Sequence, residues 1–339
     1  MPTRRIAIAL LALLPLLAAT ADSRPGDTFD ITRTDIREFA QEVGTRNGIP
    51  EKQILDLLAQ ARPQASIIEA MTRPAEKVLA WWEYRDRFLT EKRIEAGVQF
   101  WREHRAELER VATERGVPPE YLVAILGVET VYGRSMGGYR VIDALATLTF
   151  DYPPRAPYFR KELEQFLLIA EGGEVDALKA KGSYAGAMGA PQFMPSSFRN
   201  FAVDVASKGK RDLWQNWPDV FASVANYFIV HGWRTGEPVL AESSGASNVD
   251  DPAAFKLEPT DTVASLRQRG YRFDTTVAAE APAWLVPAEQ PDGLVWRVGF
   301  QNFYVITRYN RSPRYAMAVH DLATVLRARV NAVAASVSP

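Results

Sequence analysis

Residues 116–133, GVPPEYLVAILGVETVYG, decide the fold, and they contain Glu129, the most informative side chain of the sequence. The proline pair at 118–119 favours the first turn of a helix, and Gly133 suits the residue after its end. The run therefore predicts a single helix whose apolar residues recur at helical spacing. One face of that helix carries Leu122, Ile125, Leu126 and Glu129.

Glu129 is the acidic residue on this otherwise apolar face, since it follows Ile125 and Leu126 at positions i+4 and i+3. Burial penalises the charged form of a carboxyl, so a carboxyl in such a setting keeps its proton to higher pH. A carboxyl that is protonated near neutral pH is what general acid catalysis requires. The alternative is that Glu129 lies on the last turn and reaches solvent, and the residues alone leave both interpretations open.

The composition is that of a globular protein and excludes several classes of site. The chain has 339 residues with 40 basic and 41 acidic side chains, a formal net charge of −1, which provides no long-range attraction to nucleic acid or to an anionic membrane. The length allows about two domains of ~150 residues. Cysteine is absent, which excludes disulfides, thiolate metal sites, a catalytic thiol and a lipidated cysteine. The histidines number three and are widely spaced, so no metal centre is expected.

The first residues, MPTRRIAIALLALLPLLAATA at 1–21, have the pattern of an export signal. Arg4 and Arg5 form a positive start, an apolar run follows, and Ala19-Thr20-Ala21 fits a cleavage site. The run is shorter than the ~20 apolar residues of a membrane span. A retained anchor is the less favoured alternative, and the mature protein is expected in the periplasm without a stable membrane anchor.

Most of the chain has helical patterning. Residues 30–115 are predicted to be rich in helices, and further helices are predicted over 160–180, 219–231 and 315–330. Residues 182–200, GSYAGAMGAPQFMPSSFRN, are rich in small residues and predict a shaped loop.

A β-rich part is predicted late in the chain, because residues 294–298 and 303–307 alternate or are β-branched, as strands are. The predicted fold class is mainly α (α+β), a helical core with a small β-rich subdomain. The expected division is a signal peptide at 1–21, an N-terminal helical part at 22–110, a catalytic core at 111–240, the β-rich subdomain at 241–305, and a C-terminal helix at 306–339 that returns to the helical body.

Three short motifs are interpreted as chance matches. Residues 133–137 fit G-x-S-x-G, but that nucleophile motif needs a preceding strand, and here a helix is predicted. Residues 207–210 fit S-x-x-K, a motif of penicillin-binding enzymes, but the sequence lacks the K-T-G element that those enzymes also carry. The polar loop at 204–212 places Lys208 and Lys210 where a calcium loop needs oxygen ligands, so it is interpreted as a solvated turn.

Several separated blocks, in the same order, resemble the lytic murein transglycosylase B family over about residues 30–330. They are WWEYRDRF at 81–88, the opening helix block, ALATLTFDYPPRAPYF at 144–159, KGSYAGAMGAPQFMPSSF at 181–198, SVANYFIVHGW at 223–233, and FYVITRYNRSPRYAMAV at 303–319. The resemblance implies a goose-lysozyme-like catalytic core and cleavage of the bond between N-acetylmuramic acid and N-acetylglucosamine, which leaves 1,6-anhydro ends.

The same resemblance assigns roles to individual residues. Glu129 would act as general acid and then as base, with no cofactor and no metal. The substrate-binding positions implied are Tyr84, Arg155, Tyr158, Ser183, Gln192, Tyr227, Asn302 and Tyr309. The implied partners are peptidoglycan glycan strands and other cell-wall enzymes. For each tyrosine, a purely structural role with a satisfied hydroxyl is an equal alternative.

Two features depart from the family pattern, and two other functions remain open. Pro154 stands where many relatives have the first of two arginines, so Arg155 alone is left for a stem-peptide carboxylate. The lysines at 208 and 210 stand in a loop that binds calcium in some relatives.

A muramidase hydrolase would need a second carboxylate, for which Asp143 or Asp151 is the candidate. A non-catalytic peptidoglycan-binding scaffold is the third possibility.

Overall fold

The computed structural model describes residues 27–72, 79–245 and 250–337, so the predicted signal peptide lies outside the described residues. Within these ranges the chain is mainly helical, which confirms the predicted fold class. Its α-helices are α1 Thr34–Asn47, α2 Glu51–Leu58, α3 Ala65–Thr72, α4 Trp81–Asp86, α5 Glu91–Glu103, α6 Arg105–Arg115, α7 Pro119–Thr130, α8 Val141–Phe150, α9 Ala156–Glu171, α10 Pro195–Phe201, α11 Trp217–Val230, α12 Val263–Gln268, α13 Gln301–Tyr309 and α14 Pro313–Val337.

The strands are short except for one hairpin. They are β1 Tyr139–Arg140, β2 Lys181–Gly182, β3 Leu240–Glu242, β4 Ser244–Gly245, β5 Asp261–Thr262, β6 Tyr271–Arg272, β7 Pro282–Gln290 and β8 Gly293–Gly299. The main sheet has the order β3-β8-β7-β5, and β8 pairs antiparallel with both of its neighbours. The predicted strand at 294–298 is confirmed, since it lies within β8.

Helix α7 lies at the centre of the main hydrophobic core, where its residues 122–127 are buried. The long C-terminal helix α14 packs along α7 and α5, and α11 packs against α6. A second, smaller core lies in the β-rich part and is built around Leu266, Tyr271 and Trp296. Two cores are consistent with a large helical body that carries a small sheet-containing part.

The predicted strand at 303–307 is wrong, because these residues lie in helix α13. Asn302, Phe303, Val305 and Ile306 are buried with the spacing of one helix face, so tertiary burial overrides the β-propensity of the branched residues. Two boundaries also differ from prediction. The helix predicted over 160–180 ends at Glu171, before the glycine pair at 172–173, and the end of the predicted loop at 182–200 is helical from Pro195.

No helix among the described residues has both the length and the apolar composition that a bilayer crossing demands.

Candidate active site

Glu129 lies on the last turn of α7 with its side chain half-buried. The hydroxyl of Tyr315, in the first turn of α14, donates a hydrogen bond of 2.5 Å to its Oε1 atom. Burial raises the pKa of Glu129 to about 7, while the hydrogen bond from Tyr315 acts in the opposite direction. The carboxyl therefore exists as a mixture of protonated and ionised forms near neutral pH, which favours the first of the two interpretations that the sequence left open.

Three tyrosines, Tyr84, Tyr309 and Tyr315, lie near this carboxyl, and Tyr227 packs against Tyr309. The Tyr309 and Tyr315 rings lie nearly parallel with centroids 6.4 Å apart, and Tyr227 follows 4.8 Å from Tyr309. Burial and, after it, the nearby Glu129 carboxylate raise the pKa of Tyr84, Tyr309 and Tyr315 above the ordinary value. These hydroxyls stay protonated at physiological pH, and the partly exposed rings of Tyr84 and Tyr309 are aromatic surface of the kind that packs on sugar rings.

Two of these tyrosines are oriented by backbone carbonyls. The Tyr309 hydroxyl donates to the Pro191 carbonyl at 2.5 Å, and the Tyr227 hydroxyl donates to the Arg308 carbonyl at 2.6 Å. Tyr84 lies on α4 and stacks between Trp81 and Phe88. The aromatic cluster of the N-terminal part thus divides, with Trp81 fully buried and Tyr84 facing the Glu129 pocket at partial exposure.

The backbone just beyond Glu129 turns sharply. Val131, Tyr132 and Gly133 are consecutive left-handed residues, with φ of 50°, 60° and 79°. A β-branched residue rarely adopts this conformation, and such strained residues cluster at functional sites. The Tyr132 amide donates to the Leu126 carbonyl at 2.9 Å, which closes the end of α7.

The Tyr132 side chain holds this turn in place. Its ring is buried, and its hydroxyl donates to the Arg93 carbonyl of α5 at 3.0 Å. The ring fits against Gly97 of α5 and Gly127 of α7, where an added Cβ atom would overlap the Tyr132 hydroxyl. The two glycines therefore leave the space for a side chain that fixes the direction of Glu129.

Thr130 joins α7 to the small-residue loop at 183–194. Its hydroxyl donates to the Ala190 carbonyl at 2.8 Å and accepts from the Gly133 amide at 3.0 Å. In that loop, Gln192 has a φ of 52°, and its Nε2 atom donates to the carbonyls of Gly189 and Met136. Its Oε1 atom accepts no hydrogen bond from the described residues and remains available to an amide N–H or a sugar hydroxyl.

Ser183 lies at the start of the same loop. Its Oγ atom accepts the amide hydrogens of Ala185 and Ala187, at 3.3 and 3.1 Å. An Oγ atom used as an acceptor leaves its own hydrogen free to donate. Of the predicted set, the structure brings Tyr84 and Tyr309 close to Glu129, with Gln192 next to the Pro191 carbonyl that Tyr309 contacts and Tyr227 packed against Tyr309. Ser183 lies in the same loop as Gln192.

Arg155 and Tyr158 form a separate exposed pair at the start of α9. The Arg155 guanidinium lies 4.9 Å from the centroid of the Tyr158 ring, which is a cation–π contact. Arg155 contacts the ring of Phe159 as well, at 5.2 Å. The pair presents a positive charge and an aromatic face to solvent.

Asn302 is placed elsewhere than the resemblance implied. Its side chain is completely buried, with Oδ1 accepting the Arg234 amide and Nδ2 donating to the carbonyls of Arg234 and Glu237. All three bonds are 2.8–2.9 Å long and hold the turn at 234–237. The expected groove position is therefore corrected: a buried amide with these bonds supports the fold and does not face the pocket.

Tyr315 is the site residue that the sequence analysis missed. The quoted block at 303–319 contains it, but nothing in that block distinguishes its hydroxyl from those of Tyr304 and Tyr309. The only signal is its place at the start of a predicted helix, and its pairing with a residue 186 positions away is a tertiary fact.

The two candidate second carboxylates are engaged by arginines. Asp143 is buried, receives two hydrogen bonds from Arg140 at 2.7 and 2.8 Å, and accepts the Arg62 amide at 2.9 Å. Asp151 pairs with Arg33 at 2.8 Å. Both carboxylates link parts of the chain that are distant in sequence, which is a structural role.

The motif matches take the form predicted from sequence. Helix α7 and a turn precede Gly133–Gly137, so the strand that a nucleophile elbow requires is absent there. Asp204 accepts the amides of Gly209 and Lys210 through one carboxylate oxygen, at 2.6 and 3.2 Å. No group of three or more acidic or histidine side chains suited to a metal ion occurs in the described parts of the chain.

Comparison with known proteins gives concordant results. Residues 32–324 match the family model described as the transglycosylase SLT domain. The chain is 40% identical over 295 residues to the membrane-bound lytic murein transglycosylase B of Escherichia coli, covering 84% of this chain and 81% of that protein.

Solved structures are similar over most of the chain. The catenated lytic transglycosylase SltB1 of Pseudomonas aeruginosa is 45% identical with a TM-score of 0.83, over 88% of this chain and 98% of that one. SltB3 of the same organism, in complex with NAG-anhNAM-pentapeptide, is 29% identical with a TM-score of 0.77, over 86% of this chain and 78% of that one.

Proposed function

The chain belongs to the transglycosylase SLT domain family, and from that premise we propose that Glu129 is the catalytic acid and base of a lytic transglycosylase. The enzyme cleaves the β-1,4 bond between N-acetylmuramic acid and N-acetylglucosamine in peptidoglycan and forms 1,6-anhydro ends. The observation that carries the role of Glu129 is its burial beside Tyr315, which raises the pKa of the carboxyl to about 7.

The first step uses the protonated form of Glu129. The carboxyl donates its proton to the glycosidic oxygen, the bond from that oxygen to C1 of the muramoyl residue breaks, and the N-acetylglucosamine part leaves as an alcohol. Positive charge develops on the muramoyl ring as the bond breaks. A pKa of about 7 keeps a large fraction of the carboxyl protonated at neutral pH while leaving it acidic enough to transfer the proton.

The second step uses the carboxylate that remains. It takes the proton from the C6 hydroxyl of the same ring as O6 forms its bond to C1, so the proton lost in the first step is regained and no water enters. One carboxyl suffices for both steps because they require opposite protonation states in sequence. The donor hydroxyl of Tyr315 stabilises the carboxylate between them.

The neighbouring residues are proposed to hold the substrate. Gln192 offers an Oε1 acceptor to an amide N–H, and Ser183 offers a hydroxyl donor to an acetyl or lactyl oxygen. Tyr84 and Tyr309 provide aromatic faces for the sugar rings, whereas Tyr227 is buried, stacks on His231 and supports Tyr309 from behind the groove. The exposed Arg155 beside Tyr158 is suited to a carboxylate of the stem peptide.

The proposed location is the periplasm, reached through the export signal at 1–21. We also propose other cell-wall enzymes as partners, since the glycan strand on which this enzyme acts is made and trimmed by them. Fractionation of cells that produce the full chain tests this location. The protein is expected to be released with the periplasmic contents and to lack residues 1–21.

The decisive experiment for the function is digestion of purified sacculi followed by mass spectrometry of the released fragments. Wild type is expected to release anhydro-muropeptides, one water lighter than hydrolytic products, and Glu129→Gln is expected to release none. The matched control is Glu109→Gln on the exposed face of α6, which should behave as wild type.

Three outcomes would contradict the proposal. Hydrated products would indicate a muramidase, and Asp143→Asn and Asp151→Asn would then be tested for the second carboxylate. Undiminished release by Glu129→Gln would remove Glu129 from the chemistry. Sacculus binding without any released fragment would indicate a scaffold.

A further inference from the structure

A cavity of about 770 Å³ lies at the opposite end of the catalytic helix from Glu129. Its walls come from the start of α7, the segment 233–240, the β-rich part at 267 and 274–276, and α14. We call it the junction pocket, since three parts of the fold meet there. Glu120 at its rim precedes Glu129 by nine residues, which places the two about 13 Å apart along the helix axis.

One wall of the junction pocket is aromatic. Tyr121 meets Trp233 edge to face with centroids 5.3 Å apart, and lies beside the His320 ring at 6.1 Å. The polar edges of these rings are already bonded within the protein. Tyr121 Oη is 2.9 Å from His320 Nδ1, and Trp233 Nε1 donates to the Gly116 carbonyl at 3.2 Å. Trp233 also stacks on Phe228 at 5.2 Å, and Tyr121 stacks with His320, so the wall offers a ligand the ring surface that these contacts leave uncovered.

His320 adds no charge to this wall. Burial, followed by the repulsion of Arg297 and Arg327, lowers the pKa of His320 to about 3, so the imidazole is neutral at any physiological pH. The charges of the pocket come from other side chains.

Those charges are of both signs, and several lack a partner. Glu237 Oε2 is buried and accepts no hydrogen bond from the described residues, which is costly for a carboxylate oxygen unless a donor arrives. Arg267 also lines the pocket, lies over the Phe273 ring at 5.2 Å and forms no ion pair within the described chain. Asp274 beside it is exposed and equally unpaired there. Two pairs are already formed: Glu237 Oε1 pairs with Arg234 at 3.4 Å, and Glu120 pairs with Arg327 at 3.3 Å.

We propose that the junction pocket binds a short peptide that bears a free ammonium group and a free carboxylate. The ammonium group would meet Glu237, the carboxylate would meet Arg267, and the peptide between them would lie on Tyr121 and Trp233. The cavity has the size of ordinary ligand sites. Identifying this ligand as the stem peptide of peptidoglycan rests on the proposed function. A stem peptide held here anchors the enzyme on the strand at a second point, away from the bond that is cut.

The test is calorimetric titration of the full chain with a synthetic stem tetrapeptide that carries no sugar, so that no turnover occurs. Glu237→Gln and Arg267→Met are each expected to weaken binding about tenfold or more, whereas Arg102→Met on the exposed side of α5 leaves it unchanged. Arg267 is exposed, so its variant keeps the fold even if Glu237→Gln does not. A peptide with an acetylated amine and amidated carboxylates should bind weakly to every variant.

Several outcomes would overturn the proposal. One is the absence of saturable binding. Another is binding that Glu237→Gln and Arg267→Met leave intact but Arg155→Met abolishes, because that result would place the peptide in the active-site groove. Equal binding of an unrelated zwitterionic tetrapeptide would refute the stem-peptide assignment. Glu129→Gln should bind the tetrapeptide as wild type does, so a failed proposal for Glu129 and a failed proposal for the pocket give different results.

Discussion

Replacing Tyr315 with phenylalanine removes one hydroxyl from the Glu129 carboxyl and nothing else of its size. That hydroxyl donates the 2.5 Å hydrogen bond to Oε1, and the bond counteracts the effect of burial on the pKa of Glu129. The ring of Tyr315 is buried beside Tyr309, and phenylalanine retains that packing. The variant therefore isolates the hydrogen bond from the shape of the pocket.

The magnitude follows from the charge of the acceptor. A hydrogen bond to a charged group is worth about 1.5–3 kcal/mol, and a pKa change of one corresponds to about 1.4 kcal/mol. The protonated carboxyl also accepts a hydrogen bond, so we take the lower end of this range for the difference between the two forms. Tyr315→Phe should therefore raise the pKa of Glu129, which is the pH at which the acid is half ionised, by about one pH unit.

The assay is the pH dependence of kcat/KM on a soluble glycan substrate. Loss of the proton from the acid produces the falling limb, expected near pH 7 in wild type and about one pH unit higher in Tyr315→Phe. Its rate at the optimum should fall, because the carboxylate formed in the first step loses a donor. Tyr309→Phe is the matched control, since its hydroxyl bonds to Pro191 and its limb should stay in place. An unchanged limb in Tyr315→Phe, or one displaced to lower pH, would refute the reasoning.

Three further predictions concern stability and positioning. Burial raises the pKa of Glu129 from 4.5 to about 7, so the folded protein binds this proton more tightly than the unfolded chain does. Wild type should therefore lose stability relative to Glu129→Gln as the pH rises from 4.5 to about 7. The difference reaches about 3 kcal/mol at most, and urea unfolding at pH 4.5 and pH 8 that gave the same difference would contradict it. Gly127→Ala would bring a Cβ atom 2.7 Å from the Tyr132 hydroxyl, so chemical denaturation should show a free energy of unfolding lower by about 1–3 kcal/mol. The kcat should also fall, because the turn after Glu129 moves. A variant as stable as wild type would show that the Tyr132 ring can shift to make room. Asn302→Ala removes three hydrogen bonds and leaves the Arg234 amide and the Glu237 carbonyl unpaired, so it should lower the free energy of unfolding by about 1–3 kcal/mol with KM unchanged. A raised KM at full stability would return Asn302 to the substrate groove.

The sequence by itself determined the helical class, the central helix and its carboxyl. The apolar spacing of residues 122–126 required one buried face and placed Glu129 on it, which made a carboxyl that keeps its proton one of two interpretations that the residues left open. The glycines and small residues of 182–200 likewise predicted a shaped loop with close backbone approach. These features are local because the backbone repeat converts sequence spacing directly into a shared face.

Only the tertiary structure decided which polar groups meet. Tyr315 reaches Glu129 because α14 packs along α7, and Asn302 is buried because the turn at 234–237 needs its amide. The residues around 303–307 are helical for a related reason, since their burial against the core outweighs a strand preference of a few tenths of a kcal/mol per residue. Hydrogen-bond partners distant in sequence are set by how whole elements pack, and the spacing of residues along the chain carries no information about that packing.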